Sequence, residues 1–131
     1  MAVTFWNTMA VGNLEVSSRF YEAIGFKIRP MPGGAGVVVC PDASSMVCLF
    51  PQATFRSMIP GEICDSKHAQ EIIQSVTATR REDVDALIAR AAAAGGGSLG
   101  NAREEPFGYV GGFADPDGHV WSVLWFSQPA G

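Results

Sequence analysis

Residues 4–26 read TFWNTMAVGNLEVSSRFYEAIGF, and this stretch predicts the unit from which the fold is built. Residues 4–11 alternate in polarity and are rich in β-formers, which is typical of a strand. Asn13 is a suitable helix N-cap, and apolar residues then recur at helical spacing as far as Gly25, which is typical of the position after a helix. Residues 26–29 predict a second strand, so the order is strand, helix, strand.

A β-hairpin follows this unit, and the same order of elements then returns in the second half of the chain. Residues 37–40 and 46–50 are predicted as the first hairpin. The second half predicts a strand at 71–79, a helix at 81–94 and hairpin strands at 109–114 and 120–126. Placing Pro41 over Pro116 aligns the two hairpins. We therefore predict two βαβββ modules, at about 3–50 and 71–127, joined by a connector at about 51–70 in a single domain.

The composition excludes several classes of protein. The chain has 131 residues, of which 47% are hydrophobic and 17% charged, so it can bury a proper core and disorder is excluded. Nine cations against 13 acidic residues give a formal charge of −4 without a basic stripe, so no nucleic-acid or anionic-membrane partner is expected. No apolar run approaches the ~18 residues of a membrane span and no signal peptide is recognisable, so we expect a cytoplasmic protein. The three cysteines are expected to be reduced thiols.

Two motifs at opposite ends of the chain carry a family resemblance. Residues 11–26, VGNLEVSSRFYEAIGF, are similar to a pattern Val-x-Asp-Leu-x-x-Ser-x-x-Phe-Tyr-x-x-Leu-Gly-Phe, with Asn13 at the usual aspartate, and residues 113–121, FADPDGHVW, are similar to an Asp-Pro-Asp-Gly turn before a last strand. The chain thereby resembles the vicinal oxygen chelate superfamily, which includes glyoxalase I, bleomycin resistance proteins and extradiol dioxygenases. The resemblance implies an α+β fold in which paired βαβββ modules form a curved mixed sheet with a cleft, and a homodimer.

The resemblance also implies where a metal would lie. In metal-dependent relatives, His, Gln or Glu from the first and last strands of each module hold a divalent ion in the cleft. Counting from the motifs, the four positions fall at Trp6, at Val47 or, with a slip of one, Cys48, near Ile73 and at Ser122. Most of these side chains do not coordinate metals, so we expect no cofactor, and a divalent metal is kept as the alternative.

Glu71 is the candidate catalytic residue. It lies two residues before Ile73 and so on the same predicted sheet face, where burial against Trp6 would desolvate its carboxylate and suit it to general-base chemistry. The alternative is a carboxylate near solvent at the start of a strand, paired with Lys67 or an arginine. His119, in the turn of the second motif, is expected to point to solvent or to cap the loop.

The residues expected to bind a ligand are apolar or uncharged. Alternation in the last strand directs Ser122 to the cleft and Trp121 and Val123 to the helices. Phe107 and Tyr109 would form an aromatic rim, or else belong to the core. The complete predicted set is Trp6, Val47, Leu49, Ile73, Phe107, Tyr109 and Ser122.

These positions predict a protein that binds a small, partly apolar or aromatic molecule in its cleft without a resident metal. Two alternatives stay open. One is an enzyme of the same superfamily, a lyase, isomerase or dioxygenase that uses a metal or Glu71 as general base. The other is an interaction module with an empty cleft. The connector at 51–70 would serve as a lid or a dimer contact.

Overall fold

The computed structural model describes residues 1–128, and the chain divides into two compact units at the boundary between Cys64 and Asp65. The first unit contains β1 Asn7–Val11, α1 Leu14–Ala23, β2 Lys27–Pro30, β3 Val37–Cys40, β4 Val47–Pro51 and α2 Gln52–Arg56. The second contains β5 Gln74–Thr77, α3 Arg81–Ala93, β6 Gly97–Ser98, β7 Arg103–Glu105, β8 Gly108–Ala114 and β9 Val120–Phe126. The predicted α+β class and the repeated order of elements are confirmed.

Each unit has a mixed sheet in which the first strand pairs in parallel with the last. The strand order is β1-β4-β3-β2 in the first unit and β5-β9-β8-β6 in the second, where β7 also pairs with β8. The β1–β4 and β5–β9 pairs are parallel, and the other pairs are antiparallel. The two units, one containing α1 and the other α3, therefore repeat the same arrangement of strands and helix.

The first helix begins and ends where the sequence predicts. The Asn13 side chain accepts a hydrogen bond from the Val16 backbone N–H at 3.0 Å, which satisfies one of the unpaired donors at the helix start. At the other end Gly25 has a φ of 101°, and the N–H groups of Gly25 and Phe26 donate to the carbonyls of Glu22 and Tyr21. Glycine suits this turn because it enters the left-handed region without a Cβ penalty.

In the first unit the two faces of the sheet have different coverings. Cys48 packs with Val38 and Phe50, and Phe55 of α2 lies against this cluster. No residue of α1 belongs to the cluster, although α1 contacts β3 and β4. The helix α1 therefore packs on the opposite face, which the alternation of the strands assigns to Val47 and its neighbours.

In the second unit α3 covers one face and leaves the other without a helix among residues 65–128. Phe113 and Trp121, paired across β8 and β9, stack with ring centroids 5.9 Å apart. A Cβ placed on Gly111 would lie 2.3 Å from Cδ1 of Ile88 in α3, so this face is the helix face. Ser122 points the other way, as the sequence predicts. In each unit we call the face opposite the α1 or α3 helix the open face; in the first unit Phe55 of α2 and the side chains of Met31 and Met46 cover its central cluster.

The bounds of two predicted strands are wrong, whereas the short helix α2 within the connector at 51–70 is compatible with the prediction of a connector. The first strand begins at Asn7 rather than at residue 4. The strand predicted at 71–79 covers only Gln74–Thr77, because β9 begins at Val120 and the register places Gln74 opposite Trp121. Residues 71 and 72 thus have no strand residue to pair with in β9.

Among residues 1–128, no helix is long and apolar enough to cross a membrane.

Candidate functional site

The hairpins of the two units match each other with an offset from the sequence prediction. Lys27 pairs with Cys40 in the first unit, and Gly97 pairs with Ala114 in the second. Cys40 therefore corresponds to Ala114, and Pro41 corresponds to Asp115 rather than to Pro116. The prediction aligned two prolines, whereas hydrogen-bonded register determines which residues share a position.

This offset changes which residues lie on the open face of the first unit. Cys48, and not Val47, corresponds to Ser122, and Thr8 of β1 pairs with Cys48. The expectation that Val47 and Leu49 line the same face as Trp6 is wrong, because both are buried on the α1 side of the sheet. A slip of one residue moves every side chain of a strand to the other face.

The two candidates that precede β5 lie at the surface. Glu71 is exposed, and the side chain of Ile73 is 61% exposed. Neither belongs to a strand, so they do not extend the open face on which Ser75 pairs with Ser122. Trp6 likewise precedes β1 and is 47% exposed. The burial of Glu71 against Trp6 and Ile73, on which its predicted role as a general base depended, is not found.

The side chains at the four family positions do not fit a divalent metal ion. The donors at these positions and on their cross-strand partners are the hydroxyls of Thr8, Ser75 and Ser122 and the thiol of Cys48, without a carboxylate or an imidazole. Burial raises the pKa of the Cys48 thiol, which opposes the thiolate form that a metal needs. Trp6 and Ile73 offer no ligand atom.

Tyr109 belongs to the core, the second of its two expected placements, and not to a rim that binds ligand. Its hydroxyl lies 3.0 Å from both carboxylate oxygens of Asp85 in α3, and the Arg81 guanidinium lies 3.9 Å above its ring. The hydrogen bond to Asp85 raises the pKa of the Tyr109 hydroxyl. The hydrogen bond between Tyr109 and Asp85 therefore links β8 to α3. Phe107 is 41% exposed and contacts Phe126 instead, with ring centroids 5.6 Å apart.

The turn between β8 and β9 is held by a buried aspartate, which makes the side-chain-to-backbone hydrogen bonds expected of an Asp-Pro-Asp-Gly turn. The Asp115 carboxylate accepts hydrogen bonds from the backbone N–H groups of Asp117 and His119, at 3.0 and 2.9 Å. Its other oxygen lies 2.7 Å from Nδ1 of His119. His119 thus caps the loop, which was one of its two expected placements, and does not point to solvent. An aspartate four residues before a histidine across a tight turn is the signal that indicates such a pair.

The charge state of His119 follows from two opposing effects. Burial lowers the pKa of the imidazole, but the hydrogen bond to Asp115 and the charges of Asp115 and Asp117 outweigh it, so the pKa lies above its ordinary value. These three residues also form a group with ligand atoms within 4.8 Å of one another. Because Asp115 is engaged by two backbone N–H groups and by the imidazole, the group serves as the hydrogen-bond network of the turn.

Each unit has a cavity at the same place in its topology, between the turn after the helix, the second strand and the hairpin turn. The cavity of the first unit has a volume of about 460 Å³, and its lining includes Lys27, Arg29, Cys40 and Met46. The cavity of the second unit has a volume of about 440 Å³. Its lining includes Gly95, Gly97, Leu99, Ala114, Pro116 and Lys67. We call them the first-unit cavity and the second-unit cavity.

Comparison with known proteins places this architecture in a family. A family model described as Glyoxalase/Bleomycin resistance protein/Dioxygenase superfamily matches residues 5–123. No curated protein matches the sequence. The chain is similar to a hypothetical protein from S. aureus, with 28% identity, a TM-score of 0.82 and coverage of 95% of this chain and 94% of that one.

Two further solved structures extend the likeness. A glyoxalase-related enzyme from Fulvimarina pelagi is 25% identical, with a TM-score of 0.81 and coverage of 99% of this chain and 92% of that one. A glyoxalase/bleomycin resistance protein/dioxygenase family enzyme from Burkholderia phytofirmans is 17% identical, with a TM-score of 0.72 and coverage of 92% and 96%, and shows the fold alone.

Proposed function

Because the chain belongs to the glyoxalase/bleomycin resistance protein/dioxygenase superfamily, we propose that it binds a small, partly apolar or aromatic molecule against the open faces of its sheets, without a divalent metal centre. The observation that carries the proposal is the donor set at the family positions. Cys48 and Ser122 stand at the last-strand positions, and neither offers the charged or imidazole donor that a hard divalent ion requires.

The character of the open faces supports an apolar ligand. In the first unit the cluster of Val38, Cys48 and Phe50 is apolar but buried, so a ligand would contact the partly buried apolar side chains that cover it, Met31, Met46 and Phe55. In the second unit the alternation that points Ser122 to the open face also points Leu124 there. Ligand sites of this composition gain affinity from apolar burial and use a few polar groups for orientation.

The rival proposal is an enzyme of the same superfamily that uses Glu71 as general base. Its exposed position before β5 weakens this reading, because a carboxylate in water gains none of the desolvation that tunes a catalytic base. A Glu71→Gln variant separates the two proposals. A base variant loses turnover and keeps binding, whereas a sequestering protein keeps its affinity within about twofold.

Metal content tests the proposal directly. Elemental mass spectrometry of untagged protein, purified without chelator and dialysed against nickel, zinc, manganese, cobalt and iron, should find a metal-to-chain ratio near zero. A ratio near one overturns the metal-free site. The Ser122→Glu variant should also fail to bind metal tightly, because its neighbours on the open face of the second unit, Ser75 and Leu124, add no carboxylate or imidazole, and tight binding by that variant would refute the assignment of positions.

Ligand binding is tested by NMR titration with small aromatic fragments. We expect the backbone amides of Cys48 and Ser122 to shift, and a Ser122→Trp substitution to abolish the shift in the second unit by filling the open face of that unit. Fragments that bind elsewhere, or a shift in the second unit that survives Ser122→Trp, would contradict the proposal.

The homodimer and the cytoplasmic location stay predictions, and light scattering of the purified protein checks the first.

A further inference from the structure

The first-unit cavity contains two cations that no carboxylate neutralises among residues 1–128. Lys27 and Arg29 both line it, and neither makes an ion pair within that part of the chain. The one side-chain hydrogen bond of Arg29 within residues 1–128 goes to Sδ of Met46, at 3.0 Å. Four of the other arginines, by contrast, pair with acidic side chains: Arg19, Arg80, Arg81 and Arg103.

The strand geometry directs both cations to one side. Lys27 and Arg29 are two residues apart on β2, so their side chains leave the same face, about 6.6 Å apart at the backbone. Their cross-strand partners are Cys40 and Val38, whose side chains lie on the open face. The two cations therefore converge at the cavity.

The remaining charge in the cavity is already engaged. Asp42 lines it, but Oδ1 of Asp42 accepts hydrogen bonds from the Ser44 N–H, the Ser44 hydroxyl and the Ser45 hydroxyl within the hairpin turn. These hydrogen bonds lower the pKa of the Asp42 carboxyl. The lining thus carries two cations and one anion, a local excess of positive charge on a chain of formal charge −4.

The size and the apolar part of the lining indicate what fits. A volume of about 460 Å³ lies within the range of small-molecule sites and is far larger than an inorganic ion needs. Pro41, Ala43 and Met46 supply apolar contacts next to the cations. An occupant that matches both features has an apolar body and an anionic head.

The second-unit cavity shows that both units form a cavity at this place and that only the first unit carries a pair of cations there. The register makes Gly97 the counterpart of Lys27, and Leu99 the counterpart of Arg29. The second-unit cavity has one cation, Lys67, which lies outside the corresponding strand. A cavity common to both units has therefore acquired its paired cations in the first unit alone.

We infer that the first-unit cavity is a binding site for a small organic anion, a carboxylate or phosphate ester with an apolar group, whose head is held by Lys27 and Arg29. Arginine provides a planar fork of donors for either oxyanion, and lysine adds a point charge. None of the family positions, which are Trp6, Cys48, Ile73 and Ser122, lines this cavity, so the site does not depend on the function proposed above.

The test uses the full chain with benzoate and phenylphosphate as probes. In ¹H–¹⁵N spectra we expect saturable shifts of the amides of Lys27, Arg29, Cys40 and Met46. Benzyl alcohol, the neutral counterpart, should bind at least tenfold more weakly, since it lacks the charge-assisted hydrogen bonds. Equal binding of benzyl alcohol overturns the anion requirement, and equal binding of inorganic phosphate overturns the organic one.

Matched variants separate this cavity from general electrostatics. Lys27→Gln and Arg29→Gln should each weaken binding about tenfold, and Lys67→Gln, which removes the same charge from the second unit, should leave affinity within twofold. An equal loss in all three variants, or an absence of saturable shifts with both anions, refutes the site. Thermal unfolding of each variant checks that the fold is retained.

Cys40 offers a second readout. It lines the cavity and is partly buried, whereas Cys64 is exposed and lies outside it. Saturating phenylphosphate should slow alkylation of Cys40 by iodoacetamide severalfold and leave the rate at Cys64 unchanged, as followed by peptide mass spectrometry. Unchanged alkylation of Cys40 at saturation would place the bound probe elsewhere and overturn the assignment.

Discussion

The two hairpin turns occupy the same topological position and are stabilised in different ways. In the second unit Asp115 is buried, 3% exposed, and organises the turn through two backbone N–H groups and the His119 ring. In the first unit Pro41 stands at that position, and the exposed Asp42 bonds to serine side chains and one N–H. The turn of the second unit is therefore held by hydrogen bonds to a buried carboxylate, whereas the turn of the first unit is exposed beside a charged cavity.

The largest expected effect comes from replacing each of the two aspartates in turn, which tests whether the two turns are stabilised differently. Asp115→Ala should lower the free energy of unfolding by about 3 kcal/mol, because two partly buried N–H groups and an imidazole lose their acceptor. Asp42→Ala should change stability much less, since its partners turn to water. Urea denaturation followed by tryptophan fluorescence measures both, and equal losses would show that the two turns are equivalent.

The strands that flank the turns differ in the space they leave for a side chain, and a glycine substitution tests this difference. Gly112 corresponds to Val38 of the first unit, but a Cβ on Gly112 would lie 2.6 Å from the backbone oxygen of Trp121. Gly112→Ala should therefore cost about 2 kcal/mol of stability, because backbone has to move. Gly97→Ala, whose Cβ meets only that of Ala114 at 3.3 Å, is the milder control.

The charge difference between the cavities can be reversed by transplanting side chains. Gly97→Lys with Leu99→Arg copies the first-unit pair into the second-unit cavity, and should create a new site for phenylphosphate, with affinity about tenfold above that of the parent cavity. Amide shifts at Ala114 and Val120, two lining residues, would report it. Tight binding by the parent cavity would show that paired cations are not what distinguishes the two units.

The smallest expected effect is the pH dependence of the second turn. The pKa of His119 is raised in the folded state, so its pairing with Asp115 stabilises the fold fully below the unfolded pKa of histidine, about 6.5, and the contribution is lost as pH rises through the folded pKa. The stability advantage of the parent over His119→Gln should thus shrink between pH 5.5 and 8.5. Denaturation midpoints across that range measure it, and an advantage that grows with pH would contradict the charged pair.

Local patterns predicted the elements that depend on neighbours in sequence. Asn13 and Gly25 were identified as the ends of α1 because capping and a positive φ involve only a few adjacent residues. Alternation in β9 correctly assigned Ser122 and Trp121 to opposite faces. Repeated element order and two motifs were enough to indicate the family, which the match over residues 5–123 confirms.

Features that depend on distant partners were predicted less well. Whether Val47 or Cys48 lies on the open face depends on the register of β4 against β1 and β3, which two matching prolines could not supply. The early start predicted for β5 failed because its partner β9 begins only at Val120. The sequence could not choose between rim and core for Tyr109, because its hydrogen bond to Asp85, 24 residues away, leaves no local signal.

By itself, then, the sequence determined the repeated βαβββ order, the helix ends, the face of each side chain in β9 and the family, since each of these follows from spacing along the chain. The tertiary structure alone decided the register between strands, the exposure of Glu71, the burial of Asp115 beneath His119 and the convergence of Lys27 and Arg29 on one cavity. The physical reason is that pairing and burial depend on which distant segments meet, and a one-residue change in that meeting exchanges the two faces of a strand.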